Sequence, residues 1–129
     1  MISIRQVEHI GIRVNDAARS EAFYELFGFE AVFRGGSEPV VVMKNASGVE
    51  INLICNGNQG NSATNVLMDI PEKHAGYTHV ALGVDSIEET VAELNRLNIP
   101  ITGGPMQLGD GISLFVRDPD RNVMELRKT

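Results

Sequence analysis

Open divalent-metal sites are built from imidazole and carboxylate side chains, with a coordination position left for water or substrate. This chain carries those groups at duplicated places. Residues 8–16 read Glu-His-Ile-Gly-Ile-Arg-Val-Asn-Asp, and residues 78–86 read Thr-His-Val-Ala-Leu-Gly-Val-Asp-Ser. Each segment alternates like a strand, has a histidine near its start and runs into a helical pattern. The two halves also end alike: Leu114-Phe-Val-Arg-Asp-Pro-Asp-Arg-Asn-Val-Met-Glu-Leu126 aligns without gaps on Val41-Val-Met-Lys-Asn-Ala-Ser-Gly-Val-Glu-Ile-Asn-Leu53. His9 then matches His79, and Glu125 matches Asn52. A metal held by His9, His79 and Glu125 on a pseudo-twofold axis is the chemistry this spacing permits.

The fourth position stays open. Glu50, Asn52 and Ile54 share one face of their strand, because strand side chains alternate with a period of two. Alignment favours Asn52, whereas ligand charge favours Glu50, since a carboxylate binds a metal better than an amide does. Glu50 is therefore a candidate base or alternative ligand, and Glu125 is the other candidate base. Arg13 lies four residues after His9 on the same strand face, so it should line the same cavity. There it could grip a substrate carboxylate or complete an internal ion pair. Asn56, four past Asn52, could hydrogen-bond a polar ligand, or simply turn the chain before Gly57. His74 has no repeat counterpart and is expected to face solvent. Cys55 is expected to be buried and inert, and Met106 and Met124 to fill the core or line the cavity.

Positioning these residues requires two similar modules. The pattern predicts a strand over 4–14 and a helix from Asn15 or Asp16 to Phe27, with Ala22, Phe23, Leu26 and Phe27 as its apolar stripe and Gly28 as its stop. Strands follow near 29–34, 39–44 and 48–55. The second half repeats the order, with a strand over 77–84 and a helix capped by Ser86-Ile-Glu-Glu89 and lined by Ile87, Val91, Leu94 and Leu97. Asn98 and Pro100 end that helix. Strands near 99–103, 111–117 and 122–128 complete the half, and Gly103-Gly104-Pro105 and Gly109-Asp110-Gly111 read as turns. The expected architecture is α+β: a single domain over 1–129, made of β-α-β-β-β modules at 1–56 and 77–129. A Gly- and Asn-rich linker over 57–76 either covers the site or lets modules swap between chains.

Bulk properties exclude several classes. The 129 residues can bury a proper core, and 43% are hydrophobic. The net charge of −6 and the lack of tryptophan argue against nucleic-acid binding. The sequence shows neither a membrane-spanning apolar run nor a secretory signal, and its single cysteine fits a reducing compartment, so a cytoplasmic location is expected.

As a set, His9-Ile-Gly-Ile-Arg-Val-Asn-Asp, Phe23-Tyr-Glu-Leu-Phe-Gly-Phe29, Tyr77-Thr-His-Val-Ala-Leu-Gly-Val-Asp85 and Asp118-Pro-Asp-Arg-Asn-Val-Met-Glu-Leu126 resemble the motifs of the vicinal oxygen chelate superfamily. That group includes glyoxalase I, methylmalonyl-CoA epimerase, extradiol dioxygenases, fosfomycin-modifying enzymes and bleomycin-binding proteins. The resemblance covers both halves and implies an open, barrel-like cup of mixed sheet around one divalent metal (Ni, Zn, Mn, Co or Fe(II)), in a homodimer acting on a small molecule. It is strongest to glyoxalase I-like lyases. There, Arg13 and Asn56 match the residues that hold glutathione, the co-substrate, and Asn52 departs from the second metal ligand. The set His9, His79 and Glu125 also resembles an Fe(II) extradiol dioxygenase. Fosfomycin chemistry is a weaker match, because Gly11 replaces a threonine and the chain stops four residues after Glu125. A metal-free, bleomycin-resistance-like binding protein is the rival from another class, and the retained ligands speak against it.

Overall fold

The computed structural model describes residues 1–37, 39–60 and 63–129. Its elements run β1 (Ile10–Arg13), α1 (Ala17–Glu25), β2 (Glu30–Gly35), β3 (Val40–Lys44), β4 (Glu50–Ile54), β5 (His79–Gly83), α2 (Ile87–Arg96), β6 (Ile101–Leu108), β7 (Gly111–Arg117) and β8 (Val123–Lys128). They fall into two compact units, Met1–Asn61 and Ser62–Thr129. Each unit is one β-α-β-β-β module, as the repeat predicts. Residues 61 and 62 of the expected linker lie outside the described residues.

The first unit is an open four-stranded mixed sheet in the order β1-β4-β3-β2, and the second has the matching order β5-β8-β7-β6. In each, the first strand runs parallel to the last and the other neighbours are antiparallel. The register verifies the gapless alignment. Gly11 pairs with Asn52, which faces Val42, and Ala81 pairs with Glu125, which faces Phe115.

Alternation sorts the side chains by face. Val41, Met43, Ile51 and Leu53 are buried in the first unit, and Leu114, Val116, Met124 and Leu126 in the second. The opposite face carries Glu50 and Asn52 in one unit and Glu125 and Arg127 in the other. Burying four aliphatic side chains per sheet stabilises each module by about 1.5–3 kcal/mol per side chain.

Both helices start on side-chain caps. Asp16 accepts from the Arg19 amide at 2.9 Å, and Ser86 Oγ accepts from the Glu89 amide at 3.1 Å. Helix α2 buries Ile87 and Leu94, with Val91 and Leu97 half-buried, as its stripe predicts. Asn98 stops it in the left-handed region at φ 57.

Three expectations need correction. Helix α1 buries Ser20 and Tyr24, while Ala22 and Leu26 are exposed. Tyr24 meets Phe29 and Phe23 edge-on, at centroid distances of 6.4 and 5.2 Å, so the buried line runs through it rather than through the aliphatic residues. The first strand is shorter than its alternation, spanning Ile10–Arg13 instead of 4–14. Its partner β4 begins at Glu50, so the ladder cannot extend further, and Ile4 and Val7 are exposed. Strand β6 runs through Gly103-Gly104-Pro105, which the sequence marks as a turn. The chain instead absorbs them as a bulge, with the register shifting on both sides of Gly103 and Gly104 at φ 75.

Candidate metal and substrate site

In the second unit, His79 opens β5 and Glu125 sits in the middle of β8. His79 Nε2 lies 3.0 Å from Glu125 Oε1. Glu125 is 8% exposed, so its carboxylate needs partners on both oxygens. Oε2 accepts from Ser113 Oγ at 2.6 Å, and Arg127 Nη1 donates to that same Ser113 oxygen at 3.0 Å. The other side of the imidazole is held too, with Thr78 Oγ1 2.9 Å from Nδ1. The Phe115 ring meets the imidazole edge-on, with centroids 5.9 Å apart.

The first unit repeats this arrangement around His9, immediately before β1. The Glu8 carboxylate hydrogen-bonds His9 Nδ1, as Thr78 does at His79. With the Asn52 amide turned to satisfy both neighbours, its oxygen accepts from His9 Nε2 at 3.3 Å and its nitrogen donates to Glu50 Oε2 at 3.1 Å. Glu50 lies beside His9, with Oε2 3.8 Å from Nδ1, and Lys44 Nζ lies 3.4 Å from Oε1. Each imidazole therefore turns Nδ1 to the preceding residue and Nε2 to an oxygen across the parallel strand pair. An orienting partner on the far nitrogen is how metal-binding histidines are held.

The donor chemistry fits a divalent cation. Metal–nitrogen and metal–oxygen distances of about 2.0–2.2 Å place adjacent ligand atoms about 3 Å apart. The separations of 3.0 Å at His79–Glu125 and 3.3 Å at His9–Asn52 both match such an edge. Glu8, His9 and Glu50 also bring one ligand atom each within 4.8 Å of one another, a second candidate set among the described residues. Glu8, however, is the partner of Nδ1, the role that an orienting group takes.

Arg13 Nε donates to Asn56 Oδ1 at 2.9 Å, joining the two residues expected to hold a polar substrate. The structure thus groups His79 with Glu125 in one unit, and His9 with Glu50 and Asn52, and Arg13 with Asn56, in the other. His74 is exposed and Met124 is buried, as expected. Met106, on β6, is 40% exposed, so it is no core residue. Cys55 is half-buried, with its thiol donating to Leu53 O at 3.4 Å. Burial pushes that thiol up from its ordinary value.

Sequence reasoning missed Glu8, Thr78, Ser113 and Arg127. A signal for the last two was present: the duplicate positions carry Val40 and Ile54, so polar residues replace apolar ones only in the half that has the carboxylate.

Two β-α-β-β-β modules with matching strand order define the class of fold. Residues 6–126 match the family model of the Glyoxalase/Bleomycin resistance protein/Dioxygenase superfamily, and the chain belongs to that superfamily. Among solved structures, it is similar to a glyoxalase/dioxygenase from Nostoc punctiforme (20% identity, TM-score 0.75, covering 96% of this chain and 90% of that one). It is also similar to the fosfomycin resistance protein FosX from Listeria monocytogenes (21%, 0.70, 98% and 95%). A third is TnmS3, an antibiotic binding protein from Streptomyces sp. CB03234 (20%, 0.73, 99% and 98%). No curated protein matches the chain. Among the described residues, no helix is long and apolar enough to cross a membrane.

Proposed function

We propose that this protein is a metal-dependent, glyoxalase-like lyase or isomerase acting on a small substrate with oxygens on adjacent carbons, of which a glutathione hemithioacetal is the leading candidate. His9, His79 and Glu125 are the proposed ligands of one divalent cation (Ni, Zn, Mn, Co or Fe(II)), taken from one chain or from two in a homodimer. The observation that carries the reading is the His79–Glu125 edge of 3.0 Å, with a second hydrogen bond securing the far carboxylate oxygen. A cation held there would supply Lewis acidity to the paired substrate oxygens.

The remaining chemistry belongs to side chains. Glu125 and Glu50 are the two candidate bases, and Glu50, which is not among the proposed ligands, is taken as the proton carrier. Its carboxylate would remove the proton from the carbinol carbon and return it to the neighbouring carbonyl carbon. The hydroxyl proton would pass between the two oxygens, so a hemithioacetal becomes a 2-hydroxy thioester without an external oxidant. Arg13, its guanidinium steadied by Asn56, would bind the carboxylate tail of the substrate. A cytoplasmic location suits a glutathione-linked substrate.

Asn52 favours a second reading. An amide in place of a second carboxylate leaves two histidines and one glutamate, the set that holds Fe(II) in non-haem oxygenases, here of extradiol dioxygenase type. Both readings are tested by supplying protein loaded with Ni(II), Zn(II), Mn(II) or Fe(II) with methylglyoxal–glutathione hemithioacetal and, separately, with a catechol. Thioester formation supports the isomerase. Ring cleavage with Fe(II) alone supports the dioxygenase. Absence of any bound metal after equilibration overturns both and leaves a metal-free, bleomycin-resistance-like binding protein.

A further inference from the structure

Glu125 is held from behind by two residues that touch no proposed ligand other than Glu125 itself. Ser113 is fully buried, and its single hydroxyl proton goes to Glu125 Oε2 at 2.6 Å. Arg127 donates to the Ser113 oxygen, which fixes that direction, because the hydroxyl accepts from the guanidinium and has its proton left for the carboxylate. The guanidinium is itself anchored, with Nη2 donating to Asp110 Oδ1 at 2.7 Å and to Leu108 O at 2.8 Å. Space is reserved for it as well. A Cβ on Gly111 would come within 2.9 Å of Arg127 Cζ and 2.8 Å of Lys128 O.

The strand register makes this a built arrangement. Ser113 pairs with Arg127 and Phe115 with Glu125, so the serine, the arginine and the carboxylate lie on one face of β7 and β8. The first unit has the same register and none of these groups. Val40 pairs with Ile54 there, behind Asn52.

We propose that Ser113 and Arg127 are positioning residues that occupy Glu125 Oε2, so that Oε1 alone is presented beside His79 Nε2. The inference rests on the reading of His79 and Glu125 as metal ligands. It assigns the one-oxygen geometry of that ligand to a serine and an arginine that are not ligands.

The test measures Co(II) binding to the full chain by titration calorimetry, the visible absorption of the bound Co(II), and the thermal midpoint of the metal-free protein. Ser113→Ala and Arg127→Met should each weaken Co(II) binding about 10- to 100-fold and shift its absorption bands, as loss of an orienting partner does elsewhere. Glu125→Gln serves as the reference and should bind more weakly still. If Glu125→Gln weakens binding while Ser113→Ala and Arg127→Met keep the wild-type affinity and spectrum, the positioning role is wrong, whatever happens to their thermal midpoints. If Glu125→Gln itself binds Co(II) as the wild type does, the ligand reading has failed and takes this inference with it.

Discussion

In the first unit the residue paired with Gly11 is Asn52; in the second the residue paired with Ala81 is Glu125. One pleat further, Arg13 pairs with Ile54 and Gly83 pairs with Arg127. At this level each unit thus has one guanidinium on its polar face, taken from opposite strands of the same pair. Arg13, from the first strand, joins Asn56 near the strand ends and is exposed, where it can meet a ligand. Arg127, from the last strand, turns back to Ser113 and Asp110. Duplication kept the backbone and the apolar face, and let the polar faces diverge. In the second unit the arginine and Ser113 brace a carboxylate, whereas in the first Arg13 holds Asn56 and Glu50 lies beside Asn52.

The largest expected effect tests what the halves share. Leu53 and Leu126 occupy equivalent buried positions at 0% and 3% exposure. Leu53→Ala and Leu126→Ala should each destabilise the protein by about 2–5 kcal/mol in chemical denaturation, and by similar amounts. A marked inequality would show that the apolar faces have diverged as well.

The next prediction erases the difference. Asn52→Glu gives the first unit the oxygen chemistry of the second, and added ligand charge should tighten divalent-ion binding by about tenfold or more. Asn52→Ala should change it by less than about threefold, because an amide is a weak ligand. Titration calorimetry with Co(II) measures both, and tighter binding by the alanine variant would contradict the assignment. Arg13→Ala acts on the guanidinium of the first unit. Losing a charge-assisted hydrogen bond to a substrate carboxylate should raise KM about tenfold or more for a glutathione-linked substrate, with kcat little changed. An unchanged KM would remove Arg13 from the binding site.

This divergence was only half legible in the sequence. The duplication could be read because both hairpins have equal length, which aligned Glu125 with Asn52, and the observed register repeats that alignment. Strand β7 was placed correctly because Gly111 and Asp118-Pro119 punctuate both of its ends. Strand β6 was cut short because Gly103-Gly104-Pro105 has the chemistry of a turn, and only the pairing with β7 carries it on as a bulge. Strand β1 was overextended because alternation continues where no partner strand does. The buried line of α1 was misjudged because it runs through Ser20 and a tyrosine, residues with polar atoms. Ser113 and Arg127 escaped notice for a related reason: each reads singly as a solvated strand residue, and only the cross-strand pairing brings both behind Glu125.

The smallest predicted effect concerns another pair of equivalent positions that differ, Lys44 and Arg117. Lys44 ends β3 and lies 3.4 Å from Glu50 across the sheet. Its counterpart Arg117 ends β7 and reaches instead to Asp69 in the segment before β5, with Nη1–Oδ2 at 2.8 Å and Nη2–Oδ1 at 3.0 Å. Hydrogen bonding from Arg117 holds the Asp69 carboxyl below its ordinary value, and the charge of Arg121 adds to the effect. A carboxyl depressed in the folded state stabilises the fold above its unfolded pKa of about 3.9 and loses that contribution as pH falls through the lower, folded value. Asp69 is partly exposed, and water screens the pair, so the effect on the thermal midpoint should be only about 2 °C. Calorimetry should therefore find Asp69→Asn melting slightly below the wild type at pH 7, with the gap closing as pH drops below about 4. A gap that persists to low pH would mean that Asp69 ties this segment down by packing rather than by charge.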